Sequence, residues 1–123
     1  MENIYIEKQD DSPKIIMNFE KGFIEFEGEC YPENAFEFFE PILEWLNNYF
    51  ENDLKPTMVN FKLSYFNSAT TQVLFDVFDI LDETKHKELL INWYYDEDNK
   101  GTLKDYEEFN EEFEDLNIKA IAL

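Results

Sequence analysis

The sequence predicts a mixed α/β fold in one domain, on three observations. The first third of the 123 residues alternates apolar and polar side chains, as strands do. The rest of the chain alternates strand patterns with helical ones, which favours parallel pairing covered by helices. The composition is 44% hydrophobic and 18% aromatic, which excludes a disordered chain and is enough for a real core. We therefore expect a mixed sheet with a β-rich N-terminal edge.

The first third of the chain is predicted to form three short strands. Lys21 and Gly22 give a turn signal between the second and third strands, and Pro32 ends the pattern. The apolar residues of the three runs are Ile4 and Ile6; Ile15, Ile16, Met17 and Phe19; and Phe23, Ile24 and Phe26.

A long amphipathic helix is predicted over residues 33–52, where apolar side chains recur every three or four positions. Pro41 falls inside this pattern, and a proline lacks the N–H that a helix interior needs. Two alternatives remain open. Either the helix is kinked at Pro41, or a short first turn ends and the main helix begins near Pro41.

Strands and helices alternate in the second half of the chain. Residues 58–65 are predicted as a strand, with Val59, Phe61, Leu63 and Tyr65 on one face. The later elements are a helix over residues 68–85, a strand over 89–95, an acidic helix over 103–113 and, over 118–123, either a last strand or an apolar tail. The predicted buried stripe of the helix over 68–85 is Val73, Leu74, Val77, Phe78 and Leu81.

The net charge is strongly negative, because 29 acidic residues against 10 basic ones leave −19. Such a surface repels phosphate backbones and anionic lipid heads, so we expect no nucleic-acid partner and no membrane binding. It favours a partner with a basic face, although solubility alone explains the charge equally well. The chain has one cysteine, no signal-peptide pattern and no apolar run near the ~20 residues that cross a bilayer. These features predict a cytoplasmic protein.

No set of residues suited to catalysis is visible in the sequence. The single histidine, His86, lies at a polar helix end, where it suits the helix dipole better than general-base catalysis. Cys30 has no second histidine with which to form a relay, and one cysteine and one histidine cannot form a zinc site. The three glycines stand too far apart for a phosphate-binding loop. We therefore predict no enzyme activity, no cofactor and no metal.

Residues 96–101, followed by Glu107, partly match the calcium-binding loop of an EF-hand. Lys100 occupies the fifth position, where an oxygen ligand is needed, and the preceding residues 89–95 have a strand pattern instead of that of an entering helix. We therefore interpret the segment as a polar turn in which Gly101 adopts an unusual backbone angle.

Residues 67–71 are the most distinctive polar segment, because a predicted buried strand leads there directly into a helix. Asn67 and Ser68 are both favoured N-cap residues. The first N–H groups of a helix are free and its dipole is positive there, so a phosphate on a first-turn hydroxyl would meet an anion site. From the residues alone, plain N-capping by Asn67 or Ser68 is the better supported of the two interpretations.

Three short motifs in order, residues 31–34, 65–68 and 93–98, resemble the SiaC family of bacterial regulatory phosphoproteins, and the match in element order covers nearly the whole chain. The resemblance implies a STAS-like fold, a mixed β-sheet with helices packed mainly on one face, as in anti-sigma-factor antagonists. Family members are similar in being phosphorylated on the Ser or Thr directly after the Asn of the strand-to-helix turn. That position is Ser68 here. Ala69 departs from the family pattern, so Thr70 and Thr71 remain alternative acceptors.

The resemblance also implies protein partners. These are a dedicated Ser/Thr kinase, an opposing metal-dependent Ser/Thr phosphatase and, in the best-understood systems, a diguanylate cyclase, the enzyme that makes cyclic di-GMP. The unphosphorylated regulator binds and activates the cyclase, and phosphorylation releases it. We assign the partner-binding surface to Tyr31, Pro32, Glu33, Asn34, Phe66, Asn67 and Ser68.

The main hypothesis is thus a non-enzymatic partner-switching regulator controlled by Ser68. The alternative is an acidic interaction module that blocks a basic partner surface by charge alone, without phosphorylation. An enzyme that uses carboxylates or a metal is a third class, for which the sequence offers no site. Phe75 and Ile80 lie off the main stripe of their helix, so they belong to a docking patch or pack under a neighbouring element.

Overall fold

The computed structural model describes residues 1–52, 55–84, 86 and 88–123. Within these residues there are six strands and three helices. The strands are β1 (Ile4–Ile6), β2 (Lys14–Asn18), β3 (Phe23–Cys30), β4 (Thr57–Phe66), β5 (Leu89–Tyr95) and β6 (Ile118–Ala122). The helices are α1 (Ala35–Asn52), α2 (Ser68–Glu83) and α3 (Lys100–Glu112). None of these helices is long and apolar enough to cross a membrane.

The strands form one mixed sheet whose spatial order, β1-β2-β3-β4-β5-β6, is also their order in the chain. β1, β2 and β3 pair antiparallel, whereas β3, β4, β5 and β6 are parallel to one another. Each parallel connection advances one strand in the same direction. Since such crossovers are right-handed, the three helices lie on the same face. The predicted mixed sheet, with a β-rich N-terminal edge and helices on one face, is confirmed, and the chain ends in a strand.

The core lies between the helices and one face of the sheet, and aromatic rings fill its centre. Phe61 of β4 stacks on Phe26 of β3, with ring centroids 5.3 Å apart, and on Phe78 of α2 at 4.8 Å. Trp93 of β5 stacks on Phe109 of α3 at 5.4 Å. Full burial of a phenylalanine side chain stabilises a fold by about 1.5–3 kcal/mol, so this stack holds sheet and helices together. The predicted stripe of α2 is confirmed, because all its members are buried: Val73, Leu74, Val77, Phe78 and Leu81.

Phe75 and Ile80 pack under neighbouring elements, which is the second of the two alternatives for them. The Phe75 ring lies 5.0 Å from that of Phe109 and 5.9 Å from that of Phe113, and Ile80 is partly buried against the core. The two residues therefore belong to the margin of the core. Lys85, the predicted end of this helix, lies outside the described residues.

α1 runs without interruption through Pro41, so the alternative of a separate main helix beginning near Pro41 is wrong. Asn34 precedes the helix, and its side-chain oxygen accepts a hydrogen bond from the N–H of Glu37 at 3.1 Å. This cap makes the helix begin at Ala35 and not at residue 33. Pro41 is exposed, so the Glu37 carbonyl that it leaves unpaired can be hydrated, and the proline is tolerated.

His86 does not act on the end of α2 as predicted. Its Nε2 lies 2.6 Å from the carbonyl oxygen of Lys55, and its Nδ1 lies 3.1 Å from the N–H of Glu88. The backbone N–H can only donate, so Nδ1 accepts and Nε2 donates to Lys55. The imidazole therefore ties the chain before β5 to the chain before β4, and its edge packs against Phe50 with centroids 6.2 Å apart.

The opposite face of the sheet carries none of the three helices and bears a paired polar network. Asn92 donates to Asn60 at 2.9 Å, and Asn60 donates to the Glu25 carboxylate at 3.3 Å. Glu25 also pairs with the Lys62 ammonium at 2.9 Å, and this ammonium lies 4.8 Å from the centre of the Tyr94 ring. These side chains alternate with core residues along β3, β4 and β5. Because its members satisfy one another, Glu25, Asn60 and Asn92 can be buried on this face although no helix covers it.

Candidate functional site

Three turns meet at one edge of the sheet. β3, β4 and β5 are parallel neighbours, so their carboxyl ends lie at the same edge, and the turns into α1, α2 and α3 follow there. An asparagine caps each helix: Asn34, Asn67 and Asn99. The three motifs from the sequence analysis lie in these turns or next to them: residues 31–34, 65–68 and 93–98. Ligands of open parallel sheets bind outside the carboxyl ends of the strands, so this edge is the candidate site.

Asn67 is the cap of α2, which decides between the two cap candidates. Its backbone is extended (φ −91°, ψ 179°), and its side chain accepts a hydrogen bond from the N–H of Thr70 at 3.0 Å. The Asn67 carbonyl accepts a second bond from the N–H of Thr71 at 2.9 Å. Ser68 is therefore the first residue of the helix, and its exposed side chain is not needed for capping.

The first turn of α2 is left open to an anion. The N–H groups of Ser68 and Ala69 have no acceptor among the described residues, and both side chains are exposed. The first turn contains no acidic residue, although the chain has 29 of them. A helix N-terminus carries about half a positive elementary charge, so a negative group is stabilised at this position.

The other two candidate hydroxyls are less accessible than that of Ser68. Thr70 is completely buried, and its hydroxyl has no hydrogen-bond partner within the described part of the chain. The Cys30 thiol is also buried, and this burial raises the pKa of Cys30 to about 11. Thr71 is half-buried and donates its hydroxyl to the Asn67 carbonyl at 3.1 Å.

A β-bulge places Tyr65 on the opposite side of β4 from the predicted one. Gly28 pairs with Leu63 and Glu29 pairs with Tyr65, so Ser64 is an extra residue on β4. The extra residue reverses the alternation after Leu63. Tyr65, predicted on the core face, is therefore 52% exposed.

The bulge is held from two sides. Phe66 takes the inward position, where its ring lies 6.1 Å from that of Trp93 and 6.4 Å from that of Phe109. On the other side, the Asn99 amide donates to the carbonyl of Ser64 at 3.3 Å. The conformation at the end of β4 is therefore fixed by both the core and the cap of α3.

Tyr31 and Tyr65 form an exposed aromatic pair beside this turn. Their ring centroids are 5.8 Å apart and their planes meet at 68°, an edge-to-face contact. Tyr31 is 37% exposed. Desolvation of its hydroxyl and the neighbouring carboxylates of Glu29, Asp11 and Asp10 raise the pKa of Tyr31 above its ordinary value. The two rings therefore lie at the protein surface, next to acidic side chains.

The remaining predicted partner residues also lie at this edge. Pro32 is half-buried and Glu33 is exposed. Asn34 caps α1, because its side-chain oxygen accepts from the N–H of Glu37 and its side-chain amide donates to the Glu37 carboxylate at 3.3 Å. The structure thus gathers the predicted residues at one edge, while their role in partner binding stays a prediction.

Residues 96–101 form a turn that caps a helix. Asp96 accepts from the N–H of Asp98 at 2.9 Å, and Asn99 accepts from the N–H of Gly101 at 3.2 Å. The turn follows strand β5, as predicted. Within the described ranges no group of three or more His, Cys, Asp or Glu side chains is placed to hold a metal. Gly101 lies inside α3 without a positive φ, so the predicted unusual angle there is wrong, and α3 begins before residue 103 because Asn99 caps it.

Two residues of this edge, Tyr65 and Asn99, are not among the predicted site residues. The sequence signal for the first is Gly28, because a glycine inside a strand often marks a bulge. The signal for the second is an asparagine just before a helical pattern.

The fold and this edge define a small α/β domain with an exposed hydroxyl at a helix start and an exposed aromatic pair beside it. The chain belongs to the SiaC family of regulatory phosphoproteins, whose family model matches residues 6–123.

Individual relatives agree with this assignment. The chain is 25% identical over 114 residues to the uncharacterized protein PA14_02130 of Pseudomonas aeruginosa (strain UCBPP-PA14). The aligned region covers 91% of this chain and 90% of that protein. It is similar to SiaC of Pseudomonas aeruginosa, with a TM-score of 0.83, 21% identity and 100% of both chains covered. It is also similar to a chain in the crystal structure of the diguanylate cyclase SiaD in complex with its activator SiaC from Pseudomonas aeruginosa, with a TM-score of 0.90, 24% identity and 98% and 99% of the two chains covered. These structural matches confirm the fold.

Proposed function

We propose that this chain is a cytoplasmic, non-enzymatic regulator whose binding to a protein partner is controlled by reversible phosphorylation of Ser68. The observation that supports this most is the exposed Ser68 hydroxyl at a helix start that lacks acidic residues. The unphosphorylated form binds and activates a downstream target. By likeness to SiaC, the activator of SiaD, that target is a diguanylate cyclase. A Ser/Thr kinase and a metal-dependent Ser/Thr phosphatase set the phosphorylation state.

Accessibility supports Ser68 as the acceptor over the two threonines. Thr70 is fully buried, so a kinase could reach its hydroxyl only if the first turn of α2 opened. The Thr71 hydroxyl is already bonded to the Asn67 carbonyl. The Ser68 hydroxyl needs neither an opening of the helix nor the loss of a bond.

A phosphate at Ser68 would change the surface without unfolding the domain. It adds about −1.5 to −2 charge, which the helix start of α2 partly stabilises. A partner docked on this edge would have to desolvate that dianion, which is costly unless it supplies matching cations. The expected result is a folded protein that no longer binds its partner.

The acceptor is tested by phosphopeptide mass spectrometry of the protein purified from its native host under several growth conditions. We expect a phosphate on Ser68, absent from Ser68→Ala and retained in Thr71→Val. Unmodified peptide under all conditions, or a phosphate on Thr71 instead, would contradict the proposal.

The partner is tested by affinity capture from native lysate with unphosphorylated protein and with Ser68→Asp. The readout is cyclic di-GMP formed from GTP by the captured material. We expect the substitution to lower this activity about tenfold, the effect of losing about 1.4 kcal/mol of binding free energy. Gln72→Glu, an exposed residue of the same helix, is the matched control and should retain activity. Equal loss in both variants would show that charge anywhere on α2 is sufficient.

The net charge of −19 favours a second candidate, an acidic module that blocks a basic surface. Its binding would disappear between about 0.05 and 0.5 M salt, because exposed charges are screened over that range, and it would ignore Ser68→Asp. A switch would respond to the substitution at both salt concentrations.

A further inference from the structure

The helix-free face of the sheet already contains one cation held by a tyrosine and a carboxylate. The Lys62 ammonium lies 4.8 Å from the centre of the Tyr94 ring and 2.9 Å from the Glu25 carboxylate. Glu27, on the same strand as Glu25, pairs in turn with Lys14 at 2.8 Å. This part of the face therefore pairs its carboxylates with cations from the chain itself.

A similar combination of tyrosine and carboxylate occurs at the carboxyl edge of this face, where the Lys8 side chain lies against Gly28 but makes no ion pair with the carboxylate of Glu29 among the described residues. Glu29 continues the alternation of Glu25 and Glu27 along β3, and it pairs across the strands with Tyr65. The Tyr65 ring contacts that of Tyr31 at 5.8 Å. Within the described part of the chain, Glu29 has no ion pair with any lysine. Asp10 and Asp11, whose charges also raise the pKa of Tyr31, form no ion pair with a lysine there either.

The exposure of this aromatic pair is a consequence of specific structure. Without the extra residue Ser64, regular alternation would place Tyr65 on the core face. The bulge instead leaves Tyr65 52% exposed, and Asn99 holds the bulge through the Ser64 carbonyl. Bulges next to functional sites commonly re-aim a side chain in this way, and exposed tyrosines are frequent anchors in protein interfaces.

We propose that Tyr31, Tyr65 and Glu29 receive an arginine side chain of the protein partner that binds the Ser68 edge. This inference rests on the proposed function and adds the chemistry of the partner. A guanidinium can stack on a tyrosine face while its N–H groups bond a carboxylate, which a lysine ammonium does less well. The net charge of −19 also attracts a cationic segment to this face.

The arginine contact is separate from the Ser68 contact. Tyr65 faces the side of the sheet without helices, whereas Ser68 begins α2 on the helix side. A partner that binds this edge can therefore use both, one on each side of the strand end. Phosphorylation of Ser68 then opposes the contact on the helix side and leaves the geometry of Tyr31, Tyr65 and Glu29 unchanged.

The proposal is tested with the full chain carrying ¹³C-labelled tyrosine rings, by titration with ethylguanidinium as the probe. We expect the ring signals of Tyr31 and Tyr65 to shift about two- to fivefold more than that of Tyr5. This ratio is the gain in probe occupancy that an ordinary exposed cation–π contact provides. Tyr5 is a suitable internal control because it is 65% exposed. Tyr94 should not respond, since Lys62 already occupies its ring.

A pair of matched variants tests the role of the carboxylate. Glu29→Gln should reduce the shifts of Tyr31 and Tyr65 to the level of Tyr5, whereas Glu27→Gln, whose carboxylate is already paired with Lys14, should preserve them. Equal shifts at all exposed tyrosines, or equal effects of the two variants, would overturn the proposal. The titration needs neither a kinase nor a cyclase, so its failure is distinguishable from an absence of phosphate on Ser68.

Discussion

The Asn99 side chain joins two structures at once, because its amide donates to the carbonyl of Ser64 at 3.3 Å while its oxygen accepts from the N–H of Gly101 at 3.2 Å. The first bond fixes the bulge that exposes Tyr65, and the second caps α3. Removing only the donor should therefore loosen the bulge and leave the helix intact.

Asn99→Asp makes this separation, because a carboxylate can still cap the helix but cannot donate to Ser64. We expect a loss of about 0.5–1.5 kcal/mol in the free energy of unfolding, measured by urea denaturation, with a shift of the Tyr65 ring signal in NMR spectra. Asn67→Asp is the matched control. The Asn67 side chain only accepts in its cap, so this change should be neutral or stabilise by about 0.3–1 kcal/mol through the helix dipole. Equal destabilisation by both would mean that the bond to Ser64 contributes nothing.

Thr70→Val should leave the protein as stable or raise its free energy of unfolding by up to about 1 kcal/mol. The substitution keeps the shape of the side chain and removes a buried hydroxyl that has no partner among the described residues. Thr57→Val is the comparison, because the Thr57 hydroxyl lies 2.7 Å from that of Tyr49 and donates to the Lys55 carbonyl. That change should cost about 1–3 kcal/mol. A loss of similar size at Thr70 would show that its hydroxyl is bonded after all.

Gly28→Ala should destabilise the protein by about 1–3 kcal/mol, because Gly28 has φ +128°, where other residues are strained. The added Cβ would also approach the Lys8 side chain at 3.2 Å, although that flexible stem can move. Gly101→Ala is the comparison, since Gly101 has no positive φ; its added Cβ would lie 3.3 Å from the Asn99 Oδ1, so we expect a smaller change there than at Gly28. Thermal or urea unfolding measures both; stabilisation by Gly28→Ala would contradict the described bulge.

Asp105→Asn should change how stability depends on pH. Burial and repulsion by Glu108 raise the pKa of Asp105 from 3.8 to about 6, while Lys104 acts in the opposite direction. The folded protein therefore holds this proton more tightly than the unfolded chain, and the resulting stability is lost as pH rises from about 4 to 6. The neutral variant should avoid that loss and be more stable at pH 7 by about 1 kcal/mol, a value reduced for solvent screening of a half-exposed group.

Urea unfolding at about pH 4 and pH 7 measures this difference. Glu107→Gln removes the same charge from an exposed position on α3 and serves as the control. If the two variants gain equally at pH 7, relief of general charge repulsion accounts for the effect and Asp105 has no special role.

The elements whose burial follows a local pattern could be predicted from the sequence. The strands, and the stripe of α2 that includes Val73 and Phe78, repeat with the period of their secondary structure, and the core needs only that repeat. Asn67 was one of two cap candidates, because a cap bonds its own first turn. Asn99 also depends on local chemistry, yet it was not predicted as a cap and its helix was predicted to begin only at residue 103.

Residues whose environment comes from a distant part of the chain could not be placed. Tyr65 is exposed because β3 pairs with β4 through an irregularity at Gly28, which a single strand pattern does not contain. His86 bonds the carbonyl of Lys55, 31 residues away, and not the helix beside it in the sequence. The burial of Thr70 is different, because Thr70 precedes Val73 by three residues and Leu74 by four and so lies on the predicted stripe of α2.

The sheet order that matches the chain order has a consequence for folding and local opening. Every strand pairs only with strands next to it in sequence, which lowers the contact order for a mostly parallel sheet and favours rapid folding. β1 and β6 are each held by one neighbouring strand, so their backbone amides should exchange with deuterated solvent first. The three capped turns follow β3, β4 and β5, which have neighbours on both sides. The edge that contains Ser68 is therefore attached to the part of the sheet that opens least often, and a modifying enzyme would meet it in its folded form.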